Sequence, residues 1–503
     1  MKKIWKEQRK AGVLMPIFSL PSNDGIGTLG MGAYHFVDWL HSAGMSVWQI
    51  LPLLPTSYGD SPYQSYASDA LNYYFIDFEM LESEGLLTAE ERKSFVFSTD
   101  ENRVDYGKQY EGKAMLLKKA FARFDRSDKA WLAFLKDGVY YDFALFKTLK
   151  KAFGDRAWSD WDEPYKSGEK FAVEAFAREH AEEIAFWQFT QFIFLKQWNA
   201  LKAYANGKGI SIMGDMPIYV ASDSVETWKY RDELFILGED GQPSLKAGVP
   251  PDAFCEDGQL WGNPVYDWAK QKKNGYRWWK DRIAYALRLF DVVRIDHFRA
   301  FNEFFAIPAD SETAKDGVWM KGPSDKLFKD MKKCNIVAED LGIIDDGVRV
   351  MLKKTGFPGM RVLLFAFNGD EENEHLPSQY VKNCVAYTGT HDNQTLKEFF
   401  TSMDEDARRT FELALEHQCI EADVPYIVES DEEECESVIE LLFSTVANTV
   451  IVPMHDVLGY GEEARINAPA TVTGNNWTFR YSEKDFRRRK AAWLKSLCER
   501  YGR

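Results

Sequence analysis

Carboxylates stand at or just beyond the ends of five short apolar runs of this chain. Asp215 follows ISIMG, Asp296 closes VVRID, Glu339 and Asp340 close NIVAED, Asp392 lies in THDNQT and Asp456 in VPMHD. One acidic run end means little, because Asp is a frequent turn and cap residue. Five together point to chemistry, and their surroundings assign different tasks. Arg294 stands two positions before Asp296, hence on the same face of a strand, and a fixed cation there favours the ionised carboxylate of a nucleophile. Glu339 follows an apolar run with no cation beside it in sequence, so desolvation favours the protonated form of a general acid. Two carboxyls about 5 Å apart are the arrangement of a retaining glycosidase. Asp392 is then a third carboxylate, able to bind sugar hydroxyls and to oppose developing positive charge.

Metal binding is the competing use of such a cluster, and His297, His391 and His455 lie near the same run ends. No HExxH, cysteine pair or EF-hand pattern accompanies them, so no metal is expected. The phosphate-cradling patterns GxxxxGK[ST] and GxGxxG after a strand do not occur either, and no organic cofactor is expected.

The elements that must position these groups are eight apolar runs, at 12–18, 46–51, 210–213, 292–295, 335–338, 360–365, 384–388 and 449–452. Several are continuously apolar, which suits strands covered on both faces in a parallel sheet. Helix-like stretches such as 33–43, 324–333, 346–355 and 404–418 alternate with them, so the expected fold is α/β, a (β/α)₈ barrel whose active site lies at the strands' C-terminal ends. About 158 residues separate the second and third runs, far more than a crossover needs. The expected organisation is a first barrel part over 1–76, a helical insertion subdomain over 77–181 and the remaining barrel over 182–503. Within the last, 217–291 reads as a shaped, Gly-, Pro- and Trp-rich loop insertion. Ser482 and Asp485 resemble a capping box opening a basic C-terminal helix. The acidic run 429–434 and the basic run 487–490 read as solvated surface.

Composition narrows the partners. The 503 residues carry Lys+Arg 62 against Asp+Glu 78, a formal charge of −16, which opposes nucleic acid and anionic membrane. No apolar stretch spans a bilayer and MKKIWKEQRK lacks the apolar segment of a signal peptide, so a cytoplasmic protein is expected. The six cysteines form no close pair and are expected to be reduced and mostly buried. Aromatic residues make up 15% of the chain, which suits sugar stacking as well as core packing.

Eight segments carry a family resemblance: GDSPYQS (59–65), GDMPIYV (214–220), AGVPPDAF (247–254), GQLWGNPVYDW (258–268), RIDHFR (294–299), AEDLG (338–342), GTHDNQT (389–395) and EARINAP (463–469). In this order they resemble the 4-alpha-glucanotransferases, the amylomaltase or disproportionating enzymes of glycoside hydrolase family 77. The resemblance implies transfer of α-1,4-glucan segments to the 4-hydroxyl of an acceptor glucan, maltooligosaccharide or glucose. It makes Asp296 the nucleophile, Glu339 the acid and base and Asp392 the transition-state stabiliser. It further implies sugar contacts by Tyr63, Asp215, Gln259, Trp261, Arg294, His297, His391 and Asn467, under a lid carrying Phe254. Departures from the family pattern are Cys255, Asp257, Asn368 and His455, and Ser22, Leu54, Ser57 and Ser324 where glycine is expected. A hydrolase on the same scaffold differs only in what intercepts the intermediate. A catalytically silent glucan-binding protein is disfavoured by the complete set of three carboxylates.

Overall fold

The computed structural model describes residues 5–57, 59–238, 240–251, 256–342 and 344–503. Twelve strands occur among them: β1 (Lys10–Leu14), β2 (Val47–Gln49), β3 (Ser211–Met216), β4 (Leu245–Val249), β5 (Gln259–Pro264), β6 (Val292–Ile295), β7 (Glu303–Pro308), β8 (Val318–Lys321), β9 (Ile336–Ala338), β10 (Gly359–Val362), β11 (Cys384–Tyr387) and β12 (Thr449–Pro453). Eight of them pair in parallel in the order β10-β11-β12-β1-β2-β3-β6-β9. The two ends of that order meet where Ala338 N donates to Pro358 O at 2.9 Å and Met360 N donates to Asp340 Oδ1 at 2.6 Å. The result is a nearly closed TIM barrel, and each of the eight expected runs overlaps one of its strands, with 12–18 and 360–365 running on into the 3₁₀ turns Ile17–Ser19 and Leu363–Phe365. Their legibility has a simple cause: every residue of β6, β11 and β12 is buried, so both faces demand apolar side chains.

Helices cover the barrel as the alternation predicts at Met31–Ser42, Asp346–Thr355 and Glu405–Glu421. The second shows how locally these ends are set: Asp345 accepts from Val348 N at its start, and Gly356, at φ 69°, turns the chain at its end. Between β2 and β3 lie seven α-helices, from Phe78–Ser83 to Lys170–Glu179, before the long helix Ala181–Gly207 returns the chain to β3.

The segment 217–291 differs from the loop expected there. It carries β4, β5 and helices including Arg277–Leu289. With β7 and β8 its strands form an antiparallel sheet in the order β5-β4-β7-β8. The pairing of β4 with β7 lies beyond the segment in sequence, so no local pattern announces it. The helix expected over 324–333 is reduced to the short 3₁₀ turn Ser324–Lys326 followed by further turns, with Ser324 at φ 54°. Ser482 and Asp485 do form a capping box, but it closes on the 3₁₀ turn Glu483–Asp485. The C-terminal helix starts separately at Arg488. All five described cysteines are free and four are buried, while Cys255 lies outside the described residues.

The two charge runs are not wholly solvated, because each is partly helical and a helix turns one residue inward per turn. Glu434 is buried against Arg408. Lys490, 1% exposed, places Nζ 2.8 Å from both Glu432 and Glu436. Removing its cation and apolar stem leaves two glutamates facing each other, partly relieved by water. Lys490→Ala is expected to cost about 1–3 kcal/mol, read as a lowered denaturant midpoint; an unchanged midpoint would return this residue to the surface.

Candidate active site

The site begins with a cross-strand pair. Asp215 of β3 lies opposite Arg294 of β6 in the parallel register. Arg294 Nη1 reaches Asp215 Oδ2 at 2.6 Å and, two residues along its own strand side, Asp296 Oδ1 at 3.0 Å. Tyr63 O–H donates to the same Asp215 Oδ2 at 2.8 Å. Burial works against the Arg294 cation, but Asp215 and Asp296 outweigh it and hold the guanidinium firmly protonated.

Glu339 follows the last residue of the neighbouring strand β9, and its backbone N–H donates to Ile295 O at 3.0 Å. Its carboxyl accepts from His297 N at 2.5 Å and from Leu341 N at 2.7 Å. His297, at φ 47°, turns the chain immediately after Asp296, so the backbone that leaves one carboxylate presents a donor to the other. Burial raises the Glu339 pKa to about 8, reinforced by the charge of Asp296 and opposed by Arg294 and the Leu341 N–H. Burial also raises Asp296, to about 6, against the pull of Arg294. The cation therefore limits the rise at Asp296 without cancelling it, a smaller effect than the sequence spacing suggests. The two carboxyls still differ in the sense that a nucleophile and an acid require.

Asp392 stands on the loop after β11. Its Oδ1 accepts from Asn467 Nδ2 at 2.7 Å and its Oδ2 lies 3.3 Å from His391 Nε2. Enclosure by the cleft would raise its pKa, but His391 and Asn467 hold it down to about 2. It is thus the most firmly ionised of the three, and its side chain, 46% exposed, faces open cleft. The His391 ring is stacked on Tyr63 at 5.0 Å between centroids, and Trp477 tilts against both.

These groups line a cleft of about 840 Å³, with Tyr63, Gln259, Trp261, Asp296, His391, Asp392 and Asn467 on its wall. Arg294 and Asp215 support Asp296 from below the wall. His297 meets the Trp261 ring edge-on at 4.9 Å, while Trp261 Nε1 donates to Gln259 Oε1 at 3.0 Å. The structure therefore brings together every expected site residue except Phe254, which lies outside the described residues. Burial drops the His297 pKa to about 3, so this ring is neutral. Sequence reasoning overlooks Gln64, Asn263 and Trp477. Gln64 Nε2 donates to Asn263 Oδ1 at 3.2 Å, joining the 59–65 segment to β5. Adjacency to Tyr63 and Trp261 was the signal for the first two. Trp477 has no local signal, since it reaches the cleft from a distant loop at φ 64°.

A family model described as 4-alpha-glucanotransferase matches residues 15–485. The 4-alpha-glucanotransferase of Clostridium butyricum is 41% identical over 499 residues, covering 97% of this chain and 100% of its own. That of Thermus thermophilus is 40% identical over 504 residues, covering 98% of each. The structure of amylomaltase from Streptococcus agalactiae in complex with acarbose is similar at a TM-score of 0.93 and 38% identity, covering 99% of this chain and 100% of that one. Amylomaltase from Corynebacterium glutamicum, 17% identical, shares the fold at a TM-score of 0.79 over 98% of this chain and 74% of its own.

Chemistry that needs Asp296 ionised and Glu339 protonated is confined between their two titrations. Activity is expected to fall below about pH 6 as Asp296 gains a proton and above about pH 8 as Glu339 loses one. The check is the pH profile of kcat/KM on a maltooligosaccharide; a flat profile from pH 5 to 9 would contradict this pairing.

Proposed function

The chain belongs to the 4-alpha-glucanotransferase family, and from that membership we propose how its residues share the transfer of α-1,4-glucan segments through a covalent glycosyl-enzyme intermediate. Asp296 attacks the anomeric carbon of the donor while protonated Glu339 gives its proton to the departing glycosidic oxygen. The shortened glucan leaves, and the donor segment stays on Asp296. Glu339, now ionised, takes the proton of an acceptor's 4-hydroxyl as that oxygen displaces Asp296, so configuration is retained and both groups return to their starting states. Asp392, held ionised by His391 and Asn467, faces the positive charge that develops on the sugar ring in both steps.

Tyr63 with its stacked His391, and Trp261 with Gln259 and His297, are proposed as sugar-binding walls. Arg294 and Asp215 fix the nucleophile and add polar contacts. Donors and acceptors are taken to be α-1,4-glucans, maltooligosaccharides and glucose. The observation that carries the reading is the pair of adjacent strand ends whose carboxyls, one beside a shared guanidinium and one without it, are pushed to different acidities. The helices of 77–181 are proposed to act as an insertion subdomain between the barrel parts 1–76 and 182–503. No helix among the described residues is long and apolar enough to cross a membrane, which accords with the proposed cytoplasmic location.

Transfer predicts that maltotriose yields glucose together with maltopentaose and longer chains, with little net gain in reducing ends. A stoichiometric rise in reducing ends without longer products would identify a hydrolase instead. The division of labour is tested by two substitutions. Asp296→Asn should abolish turnover and covalent trapping, whereas Glu339→Gln should be crippled on maltotriose yet accept a glycosyl fluoride, whose leaving group needs no proton. Equal behaviour of the two variants with the fluoride would overturn the assignment.

A further inference from the structure

Asp456 stands in the short helix Met454–Leu458 that follows the eighth barrel strand, β12, yet it lies outside the cleft and is 1% exposed. Its two carboxylate oxygens accept from the two ends of one loop. Thr388 Oγ1, just after β11, donates to Oδ2 at 2.6 Å, and Leu396 N, at the start of the helix Leu396–Ser402, donates to Oδ1 at 2.8 Å. His455 Nε2 lies 3.5 Å from Oδ1, its ring kept neutral by burial. The loop pinned in this way, 388–396, carries His391 and Asp392 at its tip.

Asp456 meets only one donor of the helix start, the Leu396 N–H, and the rest of the cap is local. Thr395 already accepts from Glu398 N at 3.0 Å and its own N–H is met by Glu398 Oε2 at 3.3 Å, a complete capping box. The loop does not need it for its internal turn, since Asn393 Oδ1 accepts from both Thr390 N and Thr390 Oγ1, at 2.8 and 2.9 Å. What Asp456 adds is a fixed distance between the two loop ends. The opposite side of Asp392 is tied to the same helix: Glu398 Oε1 accepts from Arg465 Nη1 at 2.9 Å, and Arg465 Nε donates to the carbonyl of Asn467, the residue that holds Asp392. Placing a carboxyl in this buried position is costly, as its pKa, raised to about 7 by burial against both donors, reflects.

We propose that Asp456 is a positioning residue for glucan transfer: by fastening both ends of the 388–396 loop it holds Asp392 and His391 where the donor sugar reacts. The inference rests on the role proposed above for Asp392. A shift of that carboxylate by about 1 Å should cost on the order of 10²-fold in rate, with little change in glucan binding, which is spread over the rest of the cleft.

The test measures kcat and KM for maltotriose disproportionation well below each variant's unfolding midpoint. Asp456→Ala should lower kcat by roughly 10- to 100-fold with KM within about threefold. Asp456→Asn should recover most of that loss, because its Oδ1 can still accept from Leu396 N while its amide donates to the Thr388 hydroxyl. Thr388→Val, which removes one fastening and keeps the side-chain shape, should lower kcat by a smaller factor. Adding it to Asp456→Ala should cost nothing further, because the two act through one contact. Full kcat in folded Asp456→Ala, or multiplicative losses in the double variant, would overturn the proposal. If Asp456→Ala does not fold, Thr388→Val decides alone, and wild-type kcat there overturns it. Asp392→Asn, run alongside, separates the two levels: an active Asp392→Asn removes the role on which the inference rests, whereas an inactive one beside an unaffected Asp456→Ala removes only the positioning.

Discussion

A single buried guanidinium organises this molecule's chemistry. Arg294 is 3% exposed, and an unpaired cation at that depth would be too costly to keep. It is tolerable only because Asp215 on the adjacent strand and Asp296 on its own both reach it. That requirement fixes the register of β3 against β6, since a slip of one residue would turn one partner to the other face. Strand pairing and charge compensation are thus the same condition at this point. The carboxylate that closes the ring at the other seam, Asp340, stands next to Glu339 and binds the backbone of β10.

From the guanidinium follows the difference between the two carboxyls of the centre. Both lose hydration, which raises both. Asp296 regains part of its acidity from a cation it touches at 3.0 Å, while Glu339 feels the same cation only from farther off and, with the Leu341 N–H donor, offsets less of its burial and of the nearby charge of Asp296. The barrel need not supply a special environment for each group. Adjacent strand ends, one carrying Arg two residues earlier and one carrying none, suffice to separate them. Asp392 obeys a different rule. It is exposed to the cleft and held by a histidine and an amide, so its charge survives where Glu339 does not keep one.

How much of this is legible in sequence depends on whether the cause is local. The barrel strands are legible because burial of both faces writes itself as an unbroken apolar run, as in VVRI and TVIVP. The Arg294 and Asp296 pairing is legible because two residues apart on a strand is a spatial statement. The sheet formed by β4, β5, β7 and β8 is not, because the ladder that joins its two local strand pairs, β4 with β7, links residues more than 50 apart. Lys490 and Glu434 mislead for the same reason: a run of charge looks solvated until a helix turns one member inward onto a partner from elsewhere. Trp477 and the Arg465–Glu398 contact escape notice because segments distant in sequence meet there.

The contrast between the two kinds of element has a mechanistic reason. Every group proposed to react with the sugar stands on or just after a barrel strand, where backbone pairing and buried contacts leave little freedom, and proton and glycosyl transfer tolerate little. The proposed sugar-binding walls come largely from outside the barrel: Gln259 and Trp261 from an edge strand of the second sheet, Asn467 from the segment before Trp477. Such walls can change in sequence and shape without altering the charge balance around Arg294. On this architecture, insertions shape the walls of the cleft, while the barrel strands hold the carboxylates. The exception is Asn467, which lines the cleft and holds Asp392 at once, so a change in that wall also reaches the chemistry.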